Sequence, residues 1–442
     1  MSSAAAASLL AETPEGLAVA ALPPTWSIYT TRQRWGFLAV LFLVSTSQFL
    51  DRSVISVLLE PIKQEFKVSD TMLGFLGGTC FALVYAAAGM PVARWADRGN
   101  RRTVITLSLV VWSVMTLFCG LAQTFWRLAL ARVGVGMGES GGIPASQSLI
   151  ADYFPPERRA TAIAIFIGGI TAGNMLGLGV GGNIAATYGW RQAFLLAALP
   201  GLLLALMVRL TLAEPRLRAG GAHATARAER AADAVSRLRQ KRSYVTALFG
   251  SVLYYLFVYG PVIFIPSFLV RVLHEPLARA STTLALVAAT GALFGIPIGG
   301  WLADRLSRRD IRWLSWLPAL AFAVAGPVYM LAFSLNGMTV VMACIFIATV
   351  VLAAGFPSVF SAIHSVCGSA RRATAIAIVL FSASLFGGGF GPLACGALSD
   401  ALSAEYGHEG LRYALMTMTM LLPASAAMFY LCGRAMPCDV EP

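Results

Sequence analysis

Eight residues, RRATAIAI, occupy positions 158–165, and the same eight residues return at positions 371–378. A second pair of similar stretches has nearly the same separation, with ARWADRGNRR at 93–102 and GWLADRLSRR at 300–309. Two matches at a common offset of about 210 residues indicate an internal repeat in which each copy occupies close to half of the chain. The two halves are therefore expected to fold alike.

Long apolar stretches lie between and around the repeated motifs. Of the 442 residues, 57% are hydrophobic and 12% are charged, whereas soluble domains carry roughly 25% charged residues. A helix needs about 20 apolar residues to cross the hydrocarbon core of a bilayer. Twelve stretches of this kind are present, and they cover residues 35–59, 71–93, 103–123, 127–149, 161–187, 191–212, 244–270, 281–303, 313–335, 338–364, 373–399 and 412–433.

A polar gap divides the twelve stretches into two groups of six. The gap contains eight Lys or Arg residues and no long apolar run. Because six spans separate the repeated motifs, both copies have the same orientation in the membrane, as in transporters whose substrate site lies between two halves. The predicted fold is an all-α membrane protein with twelve transmembrane helices in two pseudo-symmetric six-helix bundles. Its predicted parts are an N-terminal tail (1–34), a first bundle (35–212), a basic linker (213–242), a second bundle (243–435) and a C-terminal tail (436–442).

The distribution of basic residues predicts the orientation of the chain. Of the 33 Lys and Arg residues, 24 fall on the side that holds both termini and the linker, and seven fall on the other side. The side richer in basic residues is cytoplasmic by the positive-inside rule, so both termini are expected in the cytoplasm. The net charge of +12 then reflects membrane topology, and it does not indicate binding of nucleic acid.

Several chemical functions are excluded by the motifs that the sequence lacks. The seven cysteines are scattered without a CxxC pair, so neither a disulfide framework nor a metal site is predicted. The chain has no GxxxxGK[ST] phosphate loop and no HExxH or GxSxG motif. We therefore expect no enzyme activity, no ATP hydrolysis and no cofactor. A secondary active transporter is the function class that fits.

Four ionisable residues are predicted at membrane depth, where each costs at least about 2.5–3.5 kcal/mol. Asp51 and Arg52 lie in the first span, and Arg132 and Glu139 lie in the fourth. Asp51 and Arg132 are at depths of about 12 Å and about 8 Å below the outer ends of their spans, which allows an ion pair. Glu139 is nearly two turns beyond Arg132 and projects from the same helix face.

Carboxyl groups in such a setting can carry protons between the two sides of a membrane. Burial and a nearby guanidinium group act in opposite senses on the proton affinity of a carboxyl group, so a conformational change can load or release a proton. Asp51 and Glu139 are therefore the predicted proton-coupling residues. Arg52 and Arg132 are predicted either to tune them or to bind an anionic head group. The alternative is a static network of buried salt bridges.

The second half has no counterpart of these charges. Positions 345 and 352, which correspond to Arg132 and Glu139, hold Ile345 and Leu352. This half instead offers polar and aromatic side chains that are candidates for lining an amphipathic cavity. They are Tyr254, Tyr255, Tyr259, Ser358, Ser361, His364 and Ser382. For any one aromatic residue, ordinary packing is the alternative, and His364 is either a pH-sensitive gate or a packed or solvated histidine.

The repeated loops also carry a family resemblance. The ADR-x-x-RR stretches resemble the signature loop of the major facilitator superfamily, and Gly387, Gly391 and Pro392 resemble its antiporter motif. Within that superfamily, the Asp51–Arg52 pair and the stretch GMGESGGIPASQSLIADYFPPERRATAIAIF after Arg132 are most similar to the spinster-like transporters.

The resemblance implies a cytoplasmic gate. In that superfamily the acidic residue of each signature loop docks at the start of a helix in the opposite half, where the helix dipole favours an anion. The implied gate residues are Asp97, Arg98, Arg101, Asp304, Arg305, Arg308, Arg158 and Arg371. Ordinary loop charges are the alternative.

The resemblance also implies a substrate class. Spinster-like transporters suggest an amphipathic lipid such as a sphingoid base or lysolipid, moved by alternating access and coupled to protons. The alternatives are an organic anion symporter, a drug efflux antiporter and, more remotely, a non-transporting membrane sensor. The expected partners are this small-molecule or lipid substrate, protons and membrane lipids. We expect a monomer in a bacterial inner membrane.

Overall fold

The computed structural model describes residues 25–215 and 231–439, without the side chains of residues 97, 98, 231–234, 368–370 and 373. Most of the predicted tails and much of the linker therefore lie outside the described residues. The first half contains six helical segments that cross the fold. They are α1 (Thr31–Phe66), α2 (Asp70–Gly74, Phe75–Thr79 and Cys80–Arg98), α3 (Arg101–Gly120), α4 (Phe125–Glu139 and Gly142–Tyr153), α5 (Pro156–Tyr188) and α6 (Trp190–Thr211).

The second half repeats this arrangement. Its first segment follows a short helix of the linker, Ala231–Gln240. The six segments are α7 (Arg242–Tyr259, Pro261–Phe264 and Ile265–Arg271), α8 (Leu277–Ser307), α9 (Trp313–Ser334), α10 (Met338–Val366), α11 (Gly368–Ser382, Ala383–Phe390 and Gly391–Tyr406) and α12 (Gly410–Thr419 and Leu421–Asp439).

The predicted fold class is confirmed. Besides the linker helix, the described residues contain twelve helical segments that cross the fold, in two sets of six, and no strand. Within the same residues, ten helices are long and apolar enough to span a membrane. That number is smaller than twelve because α4 is divided into two short pieces and because α11 and α12 join into one long helical stretch.

Small residues let the helices of one half approach closely. Gly169, Gly173 and Gly177 form one face of α5 and are buried against α1. A Cβ atom on Gly169 would lie 2.8 Å from the carbonyl oxygen of Phe42 in α1. Backbone contact of this kind replaces the hydrophobic driving force, which is missing between helices in lipid. It brings α1, which carries Asp51 and Arg52, against the rest of the first half.

The two halves meet at the end of the bundle away from Thr31 and Asp439, which we call the distal end. Here α2 packs on α11, and α5 packs on α8. A Cβ atom on Gly78 would lie 2.5 Å from the carbonyl oxygen of Gly388. Glycine at both positions allows the helices to touch through their backbones. The opposite end, which holds both termini of the helical region, is the proximal end.

Candidate proton and substrate site

Two helices of the first half bring four charged residues together near the middle of α1. Asp51 and Arg52 project from α1, and Arg132 and Glu139 project from the first piece of α4. Asp51, Arg132 and Glu139 are 1%, 1% and 0% exposed. Of these four residues, Arg52 alone has a partly exposed side chain, with 21% of its surface accessible. Helix α3 adds Thr116, so the cluster is built at the contact of α1, α3 and α4.

Asp51 is fixed by two partners. The Thr116 hydroxyl donates to Oδ1 at 2.6 Å, and Nη1 of Arg132 lies 3.4 Å from Oδ2. This is the ion pair that the predicted depths allow. The guanidinium of Arg132 also lies 5.4 Å from the centre of the Phe81 ring. Both carboxylate oxygens of Asp51 are thus satisfied inside the first half.

Glu139 is held in a different way. Nε of Arg52 lies 2.5 Å from its Oε2 atom, and the side-chain nitrogen of Gln48 donates to the same oxygen at 3.3 Å. The other carboxylate oxygen, Oε1, is buried and accepts no hydrogen bond from the described residues, and the Asp51 carboxyl group, which lies within hydrogen-bonding range of Glu139, offers only a further acceptor when it is charged. An unsatisfied buried oxygen is unfavourable for a charged carboxylate. A proton on Glu139 would remove that charge.

Arg52 connects the charged cluster to the space between the two halves. Its guanidinium lies over the rings of Phe49, Phe81 and Tyr85, at 5.1, 4.9 and 4.5 Å from their centres. Tyr259 of the opposite half is 45% exposed and lies within electrostatic range of Arg52. In such an arrangement the guanidinium can contact the polar head of a ligand while the surrounding aromatic rings contact its apolar body.

The other candidate cavity residues fall into two groups. Tyr254 and Ser358 are 6% and 0% exposed, and the Tyr254 ring stacks on Phe322 with the ring centres 4.7 Å apart. This geometry favours the packing alternative for Tyr254. Tyr255 is also buried, but it stacks on Tyr259 at 6.0 Å and thereby supports the residue that faces Arg52.

The polar candidates on α10 and α11 are more open than these tyrosines. Ser361 and Ser382 are half-buried, and the Ser361 hydroxyl donates to the Pro357 carbonyl within its own helix. His364 is exposed near the proximal end of α10, where its carbonyl accepts from Nε of Arg372 at 3.3 Å. The structure does not bring His364 to the charged cluster of the first half.

The implied cytoplasmic gate lies at the proximal end. The side chains of Asp97 and Arg98 are outside the described residues. Arg158, Asp304, Arg305 and Arg308 are exposed, and within the described part of the chain none of these four makes an ion pair, while Arg371 is half-buried and has a partner.

Arg101 has a different environment from the other residues of the implied gate. It is 0% exposed, and its backbone nitrogen donates to Glu214 at 2.7 Å while its side chain is paired with Asp152 at 2.6 Å. Asp152 lies in the last turn of α4 and Glu214 lies just after the end of α6, so Arg101 connects the start of α3 to the ends of these two neighbouring helices. Sequence reasoning placed it in the gate because the signature loop does not reveal Glu214 or Asp152.

A second charged cluster joins the two halves at the distal end, and sequence reasoning missed it. This distal cluster comprises Glu60, Lys63, Asp70, Arg271, Ser399 and Asp400. Arg271 of the second half lies 2.6 Å from Asp70 and 2.8 Å from Glu60, both in the first half. The Ser399 hydroxyl donates to Asp70 at 2.6 Å. The partners are 201–330 residues apart in sequence, and no local motif could have paired them.

The Asp400 carboxylate completes this contact at a helix start. It accepts hydrogen bonds from the backbone nitrogens of Asp70 and Thr71, both at 2.8 Å. These nitrogens belong to the first turn of α2, where helical N–H groups have no partner within the helix. An acidic residue of the second half thus docks on a helix start of the first half, and the distal end is closed.

Comparison with known proteins gives a consistent family. The model of the Major Facilitator Superfamily matches residues 41–392. An "MFS-type efflux pump" of Mycolicibacterium smegmatis is 34% identical over 403 residues, which cover 90% of this chain and 92% of that protein. The "Sphingosine-1-phosphate transporter SPNS2" of Danio rerio is 26% identical over 419 residues, covering 89% and 82%.

Solved structures agree with these relatives. A bacterial homologue of the human lysosomal transporter Spinster, in an inward-facing and unoccupied conformation, superposes with a TM-score of 0.84 at 30% identity. The match covers 94% of this chain and 100% of that one. The same values hold for its inward-facing and occupied conformation. The predicted similarity to spinster-like transporters is confirmed.

Proposed function

This chain belongs to the Major Facilitator Superfamily, and we propose that it is a proton-coupled secondary active transporter that moves an amphipathic, lipid-like molecule by alternating access. Its family and fold are those of an integral membrane transporter and not of an enzyme. The finer parts of the proposal, namely the proton coupling and the substrate class, rest on the charged cluster of the first half.

The observation that carries the proposal is the environment of Glu139. Its carboxyl group is fully buried, one oxygen is paired with Arg52, and the other has no partner among the described residues. Ionisable groups inside a membrane protein mark ion pathways and proton relays. Movement of Arg52 away from Glu139 would favour protonation, and its return would favour release. Asp51, paired with Arg132, is the second coupling residue of the proposal.

The substrate is proposed to lie between the two halves, with its polar head near Arg52. Arg52 is the partly open charge of the cluster, and Phe49, Phe81 and Tyr85 surround its guanidinium. Tyr259 approaches from the second half. A molecule with an apolar body and a polar head fits this combination of aromatic rings and one cation. Because substrate and proton site share Arg52, binding of one is linked to binding of the other.

The closed distal end supports alternating access. The distal cluster holds the halves together at that end, whereas Asp304 and Arg158 at the proximal end are exposed. We propose that the opposite state breaks the distal cluster and closes the proximal gate residues. In this proposal the two bundles comprise residues 35–212 and 243–435, and residues 213–242 link them. The protein works as a monomer in a bacterial inner membrane, with both termini in the cytoplasm.

The experiment that tests this function is flux into proteoliposomes under an imposed pH gradient. Fluorescent sphingoid bases, lysolipids and organic acids are offered to the wild type, Asp51→Asn and Glu139→Gln. We expect gradient-driven flux of a lipid probe that falls at least about tenfold in each variant, because the proton site is lost. The matched control is Glu405→Gln, which neutralises an exposed carboxylate at the distal end and should retain flux.

Other outcomes would select other functions. Flux that ignores both pH and the two substitutions would contradict proton coupling and leave a facilitator with a structural charge network. Flux confined to organic acids would favour the anion symporter, in which Arg52 binds a carboxylate. Charge reversal, Arg52→Glu, should then abolish recognition of the anion at every pH, whereas in the proton-coupled lipid transporter it should both weaken binding of the lipid head and shift the pH profile. Ligand binding without any flux would indicate a sensor.

A further inference from the structure

A buried glutamine holds the Glu139 carboxyl group together with Arg52. Gln48 is 1% exposed and lies one helical turn before Arg52 on α1, so both side chains leave the same face of that helix. Its side-chain nitrogen donates to Oε2 of Glu139 at 3.3 Å and to the backbone carbonyl oxygen of Glu139 at 3.2 Å. One amide group thus contacts both the side chain and the main chain of the proposed proton site.

The main-chain contact exists because α4 is interrupted directly after Glu139. The first piece of the helix ends at Glu139 and the second begins at Gly142. The last carbonyl groups of a helix have no partner within it, and here Gln48 supplies one. Gly142 leaves room for the amide, since a Cβ atom at this position would lie 3.0 Å from Oε1 of Gln48. The helix break and the glutamine therefore form one unit around the carboxyl group.

We propose that Gln48 is a positioning residue that holds the Glu139 carboxyl group in both of its protonation states, an inference that rests on the proposed proton-coupling role of Glu139. A side-chain amide is both a donor and an acceptor, whereas the guanidinium of Arg52 has donors only. When Glu139 is charged, the Gln48 nitrogen donates to it, as in the structure. When Glu139 is protonated at its other oxygen, Oε1, the Oε2 atom remains an acceptor, so the Gln48 nitrogen keeps its hydrogen bonds to Oε2 and to the main-chain carbonyl of Glu139. The carboxyl group then stays in place while its proton comes and goes.

Other titratable groups face this site from every neighbouring helix. Helix α1 contributes Asp51 and Arg52, and α4 contributes Arg132. Helix α2 adds Tyr85 beside Arg52, and α7 of the second half adds Tyr259. Two buried thiols, Cys80 of α2 and Cys119 of α3, lie near Arg132. Phenol, thiol and guanidinium groups ordinarily have pKa values above about 8, so the carboxyl groups of Asp51 and Glu139 are the two acids that the measurements below must distinguish.

The first measurement is the pH dependence of proteoliposome flux with a fluorescent lysolipid as probe. Gln48→Leu keeps the approximate volume of the side chain and removes its donor and acceptor. Loss of a donor to a charged carboxylate favours the protonated form, so we expect the midpoint of the pH profile to move about one unit higher. The matched control is Ser47→Ala, because the Ser47 hydroxyl is buried on the same helix and has no partner among the described residues.

A second variant and a second measurement complete the test of Gln48. Gly142→Ala crowds the amide without removing it, and we expect a smaller shift in the same direction; this variant serves if Gln48→Leu does not fold. The second addition is infrared titration of the purified protein, which follows the C=O band of the protonated acid that disappears in Glu139→Gln. The intensity of this band reports the protonation state of Glu139 in the absence of substrate.

The outcomes separate the role of Gln48 from the transport proposal. If flux follows pH and depends on Glu139, but Gln48→Leu moves neither midpoint by more than about 0.2 unit, the positioning role is overturned and the transport proposal stands. If wild-type flux ignores pH while the infrared midpoint moves in Gln48→Leu, the proton-coupling proposal fails and the positioning role stands. A shift of equal size in Ser47→Ala would contradict the role of Gln48, since a general packing defect would explain it.

Discussion

Two buried carboxylates that look equivalent in the sequence have unequal environments. Both oxygens of Asp51 have partners, in Thr116 and Arg132, whereas one oxygen of Glu139 has none among the described residues. Removing one member of a fully partnered buried pair leaves an uncompensated charge and costs about 3–5 kcal/mol. We therefore expect substitution of Asp51 to reduce both stability and coupling, and substitution of Glu139 to act mainly on coupling.

Thr116→Val tests how firmly Asp51 is held. The substitution keeps the shape of the side chain and removes the hydroxyl that donates to Oδ1 at 2.6 Å. A hydrogen bond to a charged group contributes about 1.5–3 kcal/mol, so we expect a clearly lower unfolding temperature in detergent. Ser113→Ala on the same helix is the control, because its buried hydroxyl has no partner in the described part of the chain. Equal unfolding temperatures for the two variants would contradict this account.

The sequence identified the charged residues of the site and missed the neutral ones. Asp51, Arg52, Arg132 and Glu139 stand out because a charge is costly inside an apolar span. A glutamine or threonine in such a span is common and carries little signal by itself. Only the hydrogen bonds of Gln48 and Thr116 show that they belong to the site.

At the scale of the helix, the main difference from expectation concerns continuity. The sequence predicts one unbroken span over 127–149, but α4 stops after Glu139 and restarts at Gly142. Two other helices contain π-helical turns, Phe75–Thr79 in α2 and Ala383–Phe390 in α11. These turns face each other across the two halves, and the Thr79 hydroxyl donates to the Gly389 carbonyl at 2.5 Å. Irregular helix geometry of this kind is frequent at functional positions.

Gly173→Ala tests the close packing of α5 on α1. A Cβ atom at this position would overlap the backbone carbonyl of Thr46 and lie 2.9 Å from the nitrogen of Leu50. Backbone atoms cannot move aside as a flexible side chain can, so the helices must separate, at a cost of about 1–3 kcal/mol. We expect a lower unfolding temperature and reduced flux.

The same helix offers a matched control for this substitution. A Cβ atom on Gly168 would meet nothing closer than the Phe42 ring at 3.8 Å, which is ordinary contact. Gly168→Ala should therefore unfold at the wild-type temperature. If the two alanine variants behave alike, helix propensity and not helix contact decides the outcome.

At the scale of the whole molecule, the structure represents one of the two states of the alternating-access cycle that we propose. Asp70, Arg271 and Asp400 hold the halves together distally, and each of these bonds crosses from one half to the other. In the proposed cycle the opposite state breaks them, so their strength would set the balance between the two states. In that proposal the distal charges take part in the transport cycle together with the buried cluster.

Arg271→Gln is expected to favour opening of the distal end. The Arg271 side chain is 10% exposed and pairs with both Glu60 and Asp70, so its removal leaves two carboxylates close together. Spin labels at Gln64 and His408, in a Cys438→Ser background, report the distance between the halves at this end. We expect the open population to rise at least about tenfold, which corresponds to a change of about 1.4 kcal/mol.

The control for this measurement is a second arginine of the same region. Arg279 is 64% exposed at its side chain and pairs with Glu275 close by in sequence, so Arg279→Gln should leave the distance distribution unchanged. A distribution that is the same in all three proteins would show that the distal cluster does not control opening.

The sequence by itself determined the twelve-helix fold, its division into two halves and the identity of the buried charges. These three conclusions follow from local composition or from the internal repeat, and both kinds of signal are visible along the sequence. Only the tertiary structure decided which arginine pairs with which carboxylate, that Gln48 supports Glu139, that Arg101 anchors α3 within its own half, and that Asp70, Arg271 and Asp400 close the distal end. Arg101 and Asp152 lie 51 positions apart, and the other contacts join residues 81–330 positions apart. Their geometry depends on how helices pack, which no single span encodes.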